Sequence, residues 1–325
     1  MFRRFILTLV IITLMAGCAT DEGGDTEGSP FIGGTTGILI SFADGAPPDV
    51  VYDGGQYPFD IDVILKNKGE YTVPAARANV KITGIYSRDF SNVTLGHNVT
   101  DELVKTEKDS EGNIIEGTEY HAEFEGLSYA GILDGNTPFT IKADVCYEYG
   151  TTVNSKICIR EDLLDPTKEG VCKVTESKTV YNSGAPVQVT SIDEQAVGTN
   201  KIAFIFKVEK MGNGNIYRSP YYGEYAPPSQ CYEEREHENK VWVKVDAQNN
   251  ELNSALSCSG LKDNAGFDPS EGTIKLYNGE RTVRCTLDLE QAGVSGDFEK
   301  VIKINLLYDY KEDISTSLLV KHAAN

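Results

Sequence analysis

Alternation of apolar and polar residues in short runs is the feature that most constrains the fold of this 325-residue chain. Apolar residues recur at every second position in three such runs, which cover 38–42, 59–65 and 120–124. This period is typical of β-strands with one buried face, and the Gly, Pro and Asn residues between runs are typical of turns. The pattern predicts an all-β fold of antiparallel strands. A single short helix is predicted at 100–104, where Thr100 is a suitable N-cap.

The chain also contains an internal repeat. The segment 141–149 aligns with 302–310, and the match continues without a gap to 157–159 against 318–320. In both copies two tyrosines precede a predicted turn, after which the chain returns as a hairpin. Two copies of one β-unit explain these matches, and the region between them is rich in Gly, Pro and charge. The predicted boundaries are 37–165 for the first unit, 166–184 for a linker and 185–323 for the second unit.

Both copies place a glycine-containing turn after an alternating strand. The first copy runs from Val63 into Asn67-Lys68-Gly69, and the second has Gly212-Asn213-Gly214 at the matching place. A strand that enters an Asn-x-Gly turn in this way resembles CARDB, the cell-adhesion-related domain of bacteria and archaea. The resemblance implies two tandem immunoglobulin-like β-sandwiches with a role at the cell surface, and it implies no catalytic residue. Two antiparallel sheets packed face to face would bury the alternating pattern in any case.

The N-terminus has the pattern of an export signal. Arg3 and Arg4 precede an apolar run at 5–15, which closes on Ala16-Gly17-Cys18. The closing residues resemble the lipobox of prokaryotic lipoproteins, which implies removal of the signal peptide 1–17 and a lipid on the Cys18 sulfur. An ordinary signal peptide, with Cys18 unmodified, is the alternative. The prediction is an exported protein anchored to the outer face of the cell membrane, at the cell surface or in the periplasm.

Residues 18–36 consist largely of Gly and acidic residues and are predicted to form a flexible tether. A flexible segment of this length spans roughly 20–25 Å, which would hold the folded part just off the lipid surface.

The formal net charge of the chain is −19. Because this charge would repel a phosphate backbone, nucleic acid is excluded as a partner.

Six cysteines remain when Cys18 is set aside. An even number in an exported protein predicts disulfides. In the predicted hairpin Cys146 and Cys158 lie directly opposite each other, and both are leucine in the second copy, so we expect them to pair. A bridge from Cys158 to Cys172 is the alternative. The remaining expected pairs are Cys258 with Cys285 and Cys172 with Cys231.

One segment is the candidate recognition surface. It runs from 217 to 232 and contains three prolines and no aliphatic side chain larger than alanine. Tyrosine rings provide contact area at little cost in rotamer entropy, and proline stiffens the loop that carries them. Polymeric sugars or an envelope protein would be its ligand; the alternative is that the rings pack over the edge of the sandwich. Its tyrosines are Tyr217, Tyr221, Tyr222, Tyr225 and Tyr232.

Other motifs carry little chemistry. Asn92 and Asn98 begin glycosylation sequons, which matter only in a host that glycosylates exported proteins. We find no zinc, calcium-loop or phosphate-loop spacing, and we predict neither a metal nor a cofactor. The predicted function is therefore non-enzymatic: surface binding, adhesion or envelope architecture. The alternative is a secreted hydrolase whose site assembles from dispersed residues, which would require a cleft holding a carboxylate pair or a Ser/His pair.

Overall fold

The computed structural model describes residues 28–91, 95–163, 171–219, 231, 233–262 and 268–323. These residues form twenty strands and one short helix. The first ten strands are β1 Ile38–Phe42, β2 Val50–Tyr52, β3 Phe59–Asn67, β4 Ala78–Thr83, β5 Phe90–Ser91, β6 Gly96–Asn98, β7 Glu107–Lys108, β8 Ile114–Ile115, β9 Glu119–Tyr129 and β10 Thr137–Ile159. The others are β11 Glu176–Lys178, β12 Val180–Asn182, β13 Val187–Val197, β14 Lys201–Lys210, β15 Asn215–Tyr217, β16 Lys240–Asp246, β17 Leu256–Ser259, β18 Glu271–Lys275, β19 Glu280–Asp288 and β20 Phe298–Lys321; helix α1 is Asn250–Ser254.

Two long strands, β10 and β20, form the centre of the molecule. They pair antiparallel along the whole of β10, from Thr137 opposite Val320 to Ile159 opposite Phe298. At about 3.3 Å per residue, β10 is roughly 75 Å long. The central sheet has the order β18-β16-β20-β10-β4-β6, with β12 beside β10 and with β15 and β2 beside β20. Of its strand pairs, only β2 with β20 is parallel among the described residues.

The internal repeat corresponds to this strand pair. β10 contains the first copy of the repeated segment and β20 the second. Glu148 and Asp309 occupy the same place in the two copies, and they are also directly opposite each other in the sheet. The two units are therefore arranged head to head about this position, with an approximate two-fold relation, and they share one sheet.

Each unit adds a smaller antiparallel sheet. The first unit supplies the order β1-β3-β9-β5, and the second supplies β13-β14-β19-β17, with β11 from the predicted linker beside β13. In β3, Phe59, Ile61, Val63 and Leu65 are buried, while the residues between them are exposed or half-buried. The buried faces of these sheets and of the central sheet form one continuous apolar cluster. The three alternating runs lie within β1, β3 and β9, so the predicted all-β class with antiparallel sheets is confirmed.

Two local predictions were wrong. The hairpin that was expected to place Cys146 opposite Cys158 does not form, because β10 continues straight through 149–154 with β20 as its partner along the whole length. The helix expected at Thr100 does not form either, because Leu103 is buried and bonds across to Val73 in an isolated bridge. The observed helix α1 lies elsewhere, and the Asn249 side chain caps it by accepting from the N–H groups of Glu251 and Leu252.

The described parts of the predicted tether and linker are also more ordered than expected. Among residues 28–36, the N–H groups of Ile32 and Gly33 donate to the Glu70 carboxylate at 3.0 and 2.9 Å. The N–H of Gly184 donates to the same carboxylate at 2.7 Å. Within the predicted linker 166–184, β11 joins the small sheet of the second unit and β12 joins the central sheet. Backbone groups in both segments thus find partners in the folded units, so neither segment is free where the structure describes it.

Candidate functional site

Three disulfides connect the six cysteines, and they differ in part from the expected pairs. Cys258 bonds to Cys285, as expected from the sequence. Cys146 bonds to Cys231 and Cys158 bonds to Cys172, so the expected Cys146–Cys158 and Cys172–Cys231 pairs are wrong. The reason is the continuous strand β10, because two residues twelve positions apart on one strand are roughly 40 Å from each other. A bridge needs Cα atoms about 4.4–6.8 Å apart.

One face of β10 and β20, which we call the tyrosine face, carries Tyr147, Tyr149, Tyr308 and Tyr310. All four are fully buried, and neighbouring rings lie 5.7 to 6.2 Å apart. Burial raises the pKa of all four hydroxyls, so they remain neutral hydrogen-bonding groups. The Tyr147 hydroxyl accepts from the N–H of Ile38 at 3.4 Å and donates to Glu312 at 2.9 Å. These contacts place the start of β1 on the tyrosine face.

The opposite face, which we call the acid face, carries Glu148 and Asp309. Residues directly opposite each other in an antiparallel pair project to the same side, so the two side chains are neighbours. Glu148 is 3% exposed and Asp309 is fully buried. The Glu148 carboxylate accepts from the Tyr71 hydroxyl at 2.9 Å and from the Ser219 hydroxyl at 3.0 Å. The site is a buried carboxylate pair at the junction of the two units.

Both ends of the tyrosine-rich segment attach to this acid face. At one end, Tyr217 is the last residue of β15 and lies opposite Asp309. At the other end, Cys231 is buried and bonded to Cys146. Tyr217 is itself 8% exposed, so this ring packs and does not present a surface. The other candidate rings, Tyr221, Tyr222, Tyr225 and Tyr232, lie outside the described residues.

The remaining predicted site residues are dispersed. Cys18 and Asn92 lie outside the described residues. Asn98 ends the edge strand β6 and is exposed. The structure thus brings Tyr217 and Cys231 together with Cys146 and leaves Asn98 on the far side of β4.

Sequence reasoning missed the carboxylate pair. Its signal was present, because the acid between the two tyrosines recurs in both copies as Tyr-Glu-Tyr and Tyr-Asp-Tyr. The pair does not form the open cleft that the hydrolase hypothesis requires, since both acids are buried. Ligand atoms of Cys146, Cys231 and Asp309 lie within 4.8 Å of one another. Both sulfurs are bonded in the disulfide, so they offer no thiolate to a metal ion.

The disulfides indicate the kind of compartment in which the protein folds. Three disulfides are typical of proteins that fold in an oxidising compartment, and they indicate an exported or extracellular protein. Among the described residues there is no helix with the length and apolar character needed to cross a membrane.

Comparison with known proteins assigns no family. No protein-family model and no curated protein matches the chain. The structure is weakly similar to the secreted serine protease VesC from Vibrio cholerae, with 12% identity and a TM-score of 0.22 over 82% of this chain and 49% of VesC. It is also weakly similar to the serine-rich repeat protein Srr2 from Streptococcus agalactiae, with 8% identity and a TM-score of 0.12 over 88% of this chain and 92% of that one. The chain spans about half the length of VesC, and neither similarity carries an argument about function.

Proposed function

We propose that this protein is a lipid-anchored, non-enzymatic surface protein whose two units are immunoglobulin-like sandwiches of the CARDB type. We further propose that it binds an envelope polysaccharide or protein through the segment 217–232. The observation that supports this proposal is the attachment of both ends of that segment to the middle of the central sheet. A disulfide at Cys231 and strand pairing at Tyr217 hold the ends of a tyrosine-rich segment on a rigid base. Such an arrangement lowers the entropic cost of binding.

The position of the N-terminal segment supports the same proposal. Gly37 and Ile38 lie against Tyr147 on the tyrosine face, whereas the segment 217–232 begins and ends on the acid face. An anchor on Cys18 would therefore join the folded part on the tyrosine face, on the opposite side of the central sheet from the segment 217–232.

The anchor is tested by changing Cys18 to Ala. We expect the variant to leave the membrane fraction or to remain unprocessed, because the thioether-linked lipid can no longer form. The measurement is membrane partitioning together with the intact mass of the mature protein. An unchanged membrane fraction, with no lipid mass on the wild-type protein, would contradict the proposed anchor.

The binding segment is tested with the chain that follows residue 18, used as bait against envelope extract. We expect the change of Tyr221, Tyr222 and Tyr225 to Ser to abolish capture of the wild-type ligand, since the rings supply the contact area. Tyr277→Ser is the matched control, because Tyr277 is exposed in a turn of the second unit. Retained binding in the triple variant, with a lowered melting temperature, would show that the rings pack against the protein.

A further inference from the structure

A second group of tyrosines lies at one end of the first unit. Among the described residues, four tyrosines are more than 40% exposed, and three of them are in this region: Tyr52 at 42%, Tyr57 at 49% and Tyr86 at 66%. Ile132, at 79%, lies in the same region. The Tyr52 and Tyr57 rings are 5.2 Å apart. None of these residues belongs to the segment 217–232.

These residues lie in three segments, which we call the tip loops: 43–58, which includes the short strand β2, 84–89 and 130–136. Backbone hydrogen bonds join the loops to one another. Gly54 N donates to Gly131 O at 2.8 Å, and Ala130 N donates to Asp89 O at 2.9 Å. The three loops therefore form one surface with a defined shape, although they come from distant parts of the chain.

The buried carboxylate of Asp53 holds the tip loops in place. Asp53 is 3% exposed and accepts from Leu133 N in one tip loop, at 2.8 Å. It also accepts from Ala323 N at 2.8 Å, and His322 Nδ1 lies 2.8 Å from it, so the residues that directly follow β20 are held by the same group. These hydrogen bonds lower the pKa of Asp53 to about 2, and the carboxylate stays charged at neutral pH.

Packed rings lie beneath the tip loops. Phe90 contacts Phe59, Tyr129 and Phe139 edge to face, with ring centroids 5.3 to 6.2 Å apart. This cluster and Asp53 hold the backbone of the tip loops, so the backbone that carries the exposed rings is ordered before a ligand binds. Binding of a ligand would therefore require little loss of backbone entropy in the tip loops.

The chemistry of the surface favours a sugar polymer without negative charge. Half-exposed tyrosine rings offer flat faces on which sugar rings stack, and Asp49 and Asp134 offer exposed carboxylates that accept hydrogen bonds from hydroxyl groups. Polyanions are disfavoured, because the chain carries a net charge of −19. A protein partner would need a larger continuous contact than a few separate rings provide.

We infer that the tip loops are a second recognition surface, and that its ligand is a neutral polysaccharide. Tyr52, Tyr57 and Tyr86 supply the stacking faces. This inference does not depend on the role proposed for the segment 217–232.

The test is native affinity electrophoresis of the chain that follows residue 18, in gels containing hydroxyethylcellulose, galactomannan or glycol chitin, with alginate as an acidic comparison. We expect retardation by at least one neutral polymer and none by alginate. Changing Tyr52, Tyr57 and Tyr86 to Ser should weaken binding by about tenfold or more, since each lost ring contact is worth roughly a factor of two to ten.

Two controls separate stacking from other effects. Tyr277→Ser should bind like the wild type, because Tyr277 lies in the second unit, away from the tip loops. Tyr277 is a matched control, since its exposure is similar and Arg281 stacks on its ring as Arg88 does on the ring of Tyr86. Phenylalanine at the three tip positions should preserve most of the binding. The inference is overturned if the wild type is retarded by no neutral polymer, if the serine variant binds normally, or if phenylalanine abolishes binding as serine does. Tyr221→Ser serves as the separate test of segment 217–232.

Discussion

Asn67 shows how single side chains hold the turns of this fold. Its amide group donates to the carbonyls of Tyr71 and Leu103 at 2.8 and 2.9 Å. Its side-chain oxygen accepts from Gly69 N at 3.2 Å and from the Tyr149 hydroxyl at 3.1 Å. Asn67 is fully buried, so each of these bonds replaces one that water would otherwise supply. The second copy has no asparagine here, and Gly214 N donates directly to the Tyr310 hydroxyl.

Glu194 is the residue at which we expect stability to depend most clearly on pH. Its carboxylate is buried, accepts from Cys158 N and lies 2.9 Å from Lys178 Nζ. Burial raises the pKa of Glu194 to about 7, although these two donors lower it. Because the folded state then binds more protons than the unfolded state, this group makes the protein less stable as the pH rises from about 4.5 to about 7.

We predict that Glu194→Gln removes this contribution. The free energy of unfolding of the wild type, relative to the variant, should fall by up to roughly 3 kcal/mol across that range. Urea unfolding at pH 5, 6, 7 and 8 measures the difference. Other titrating groups are common to both proteins, so identical pH profiles would contradict the assignment.

At the scale of elements, strand β10 determines how the cysteines pair. The predicted hairpin would have brought Cys146 and Cys158 together, but the pairing with β20 keeps the chain extended and separates them. Each cysteine then bonds to a segment that packs against its own part of the strand. Cys146 holds the end of the tyrosine-rich segment, and Cys158 holds the connection between the units.

The three disulfides should differ in their contribution to stability. Cys146–Cys231 spans 85 residues and Cys158–Cys172 spans 14. Loop-closure entropy predicts that replacing the first pair by alanine lowers the free energy of unfolding by about 4–5 kcal/mol, and that replacing the second lowers it by about 3 kcal/mol. Urea unfolding of the two double variants tests this order. The loss of stability in the double variant Cys258→Ala with Cys285→Ala, whose disulfide spans 27 residues, should lie between the other two.

Peptide mapping without reductant should recover the three observed pairs. A Cys146–Cys158 peptide would contradict the continuous strand.

For the whole molecule, the shared central sheet means that the two units are not independent. Each unit contributes one of the two long strands, and the apolar cluster is continuous between them. Separation would expose the edge of β10 or β20 and the tyrosine face together. The predicted boundaries at 165 and 185 mark the repeat in the sequence, but the folded structure extends across them.

We therefore predict that the fragments 28–165 and 171–323 do not fold alone. Near-ultraviolet circular dichroism and thermal melting should show no cooperative transition for either fragment, and a single transition for the intact chain. Mixing the two fragments is the control, because it restores the pairing of β10 with β20. A cooperative melt of one isolated fragment would indicate a self-sufficient unit.

The sequence by itself determined the properties that depend on neighbouring residues. Strands β1, β3 and β9, their buried faces and the correspondence between β10 and β20 all follow from a period of two and from the repeat. It also identified the six cysteines as disulfide-forming, and one pair correctly. Only the tertiary structure decided that the chain continues straight after Tyr149 and which cysteines form disulfides. It also decided that Glu148 and Asp309 lie opposite each other. These outcomes depend on β20, which pairs with β10 from more than a hundred residues away, and local sequence contains no information about that partner.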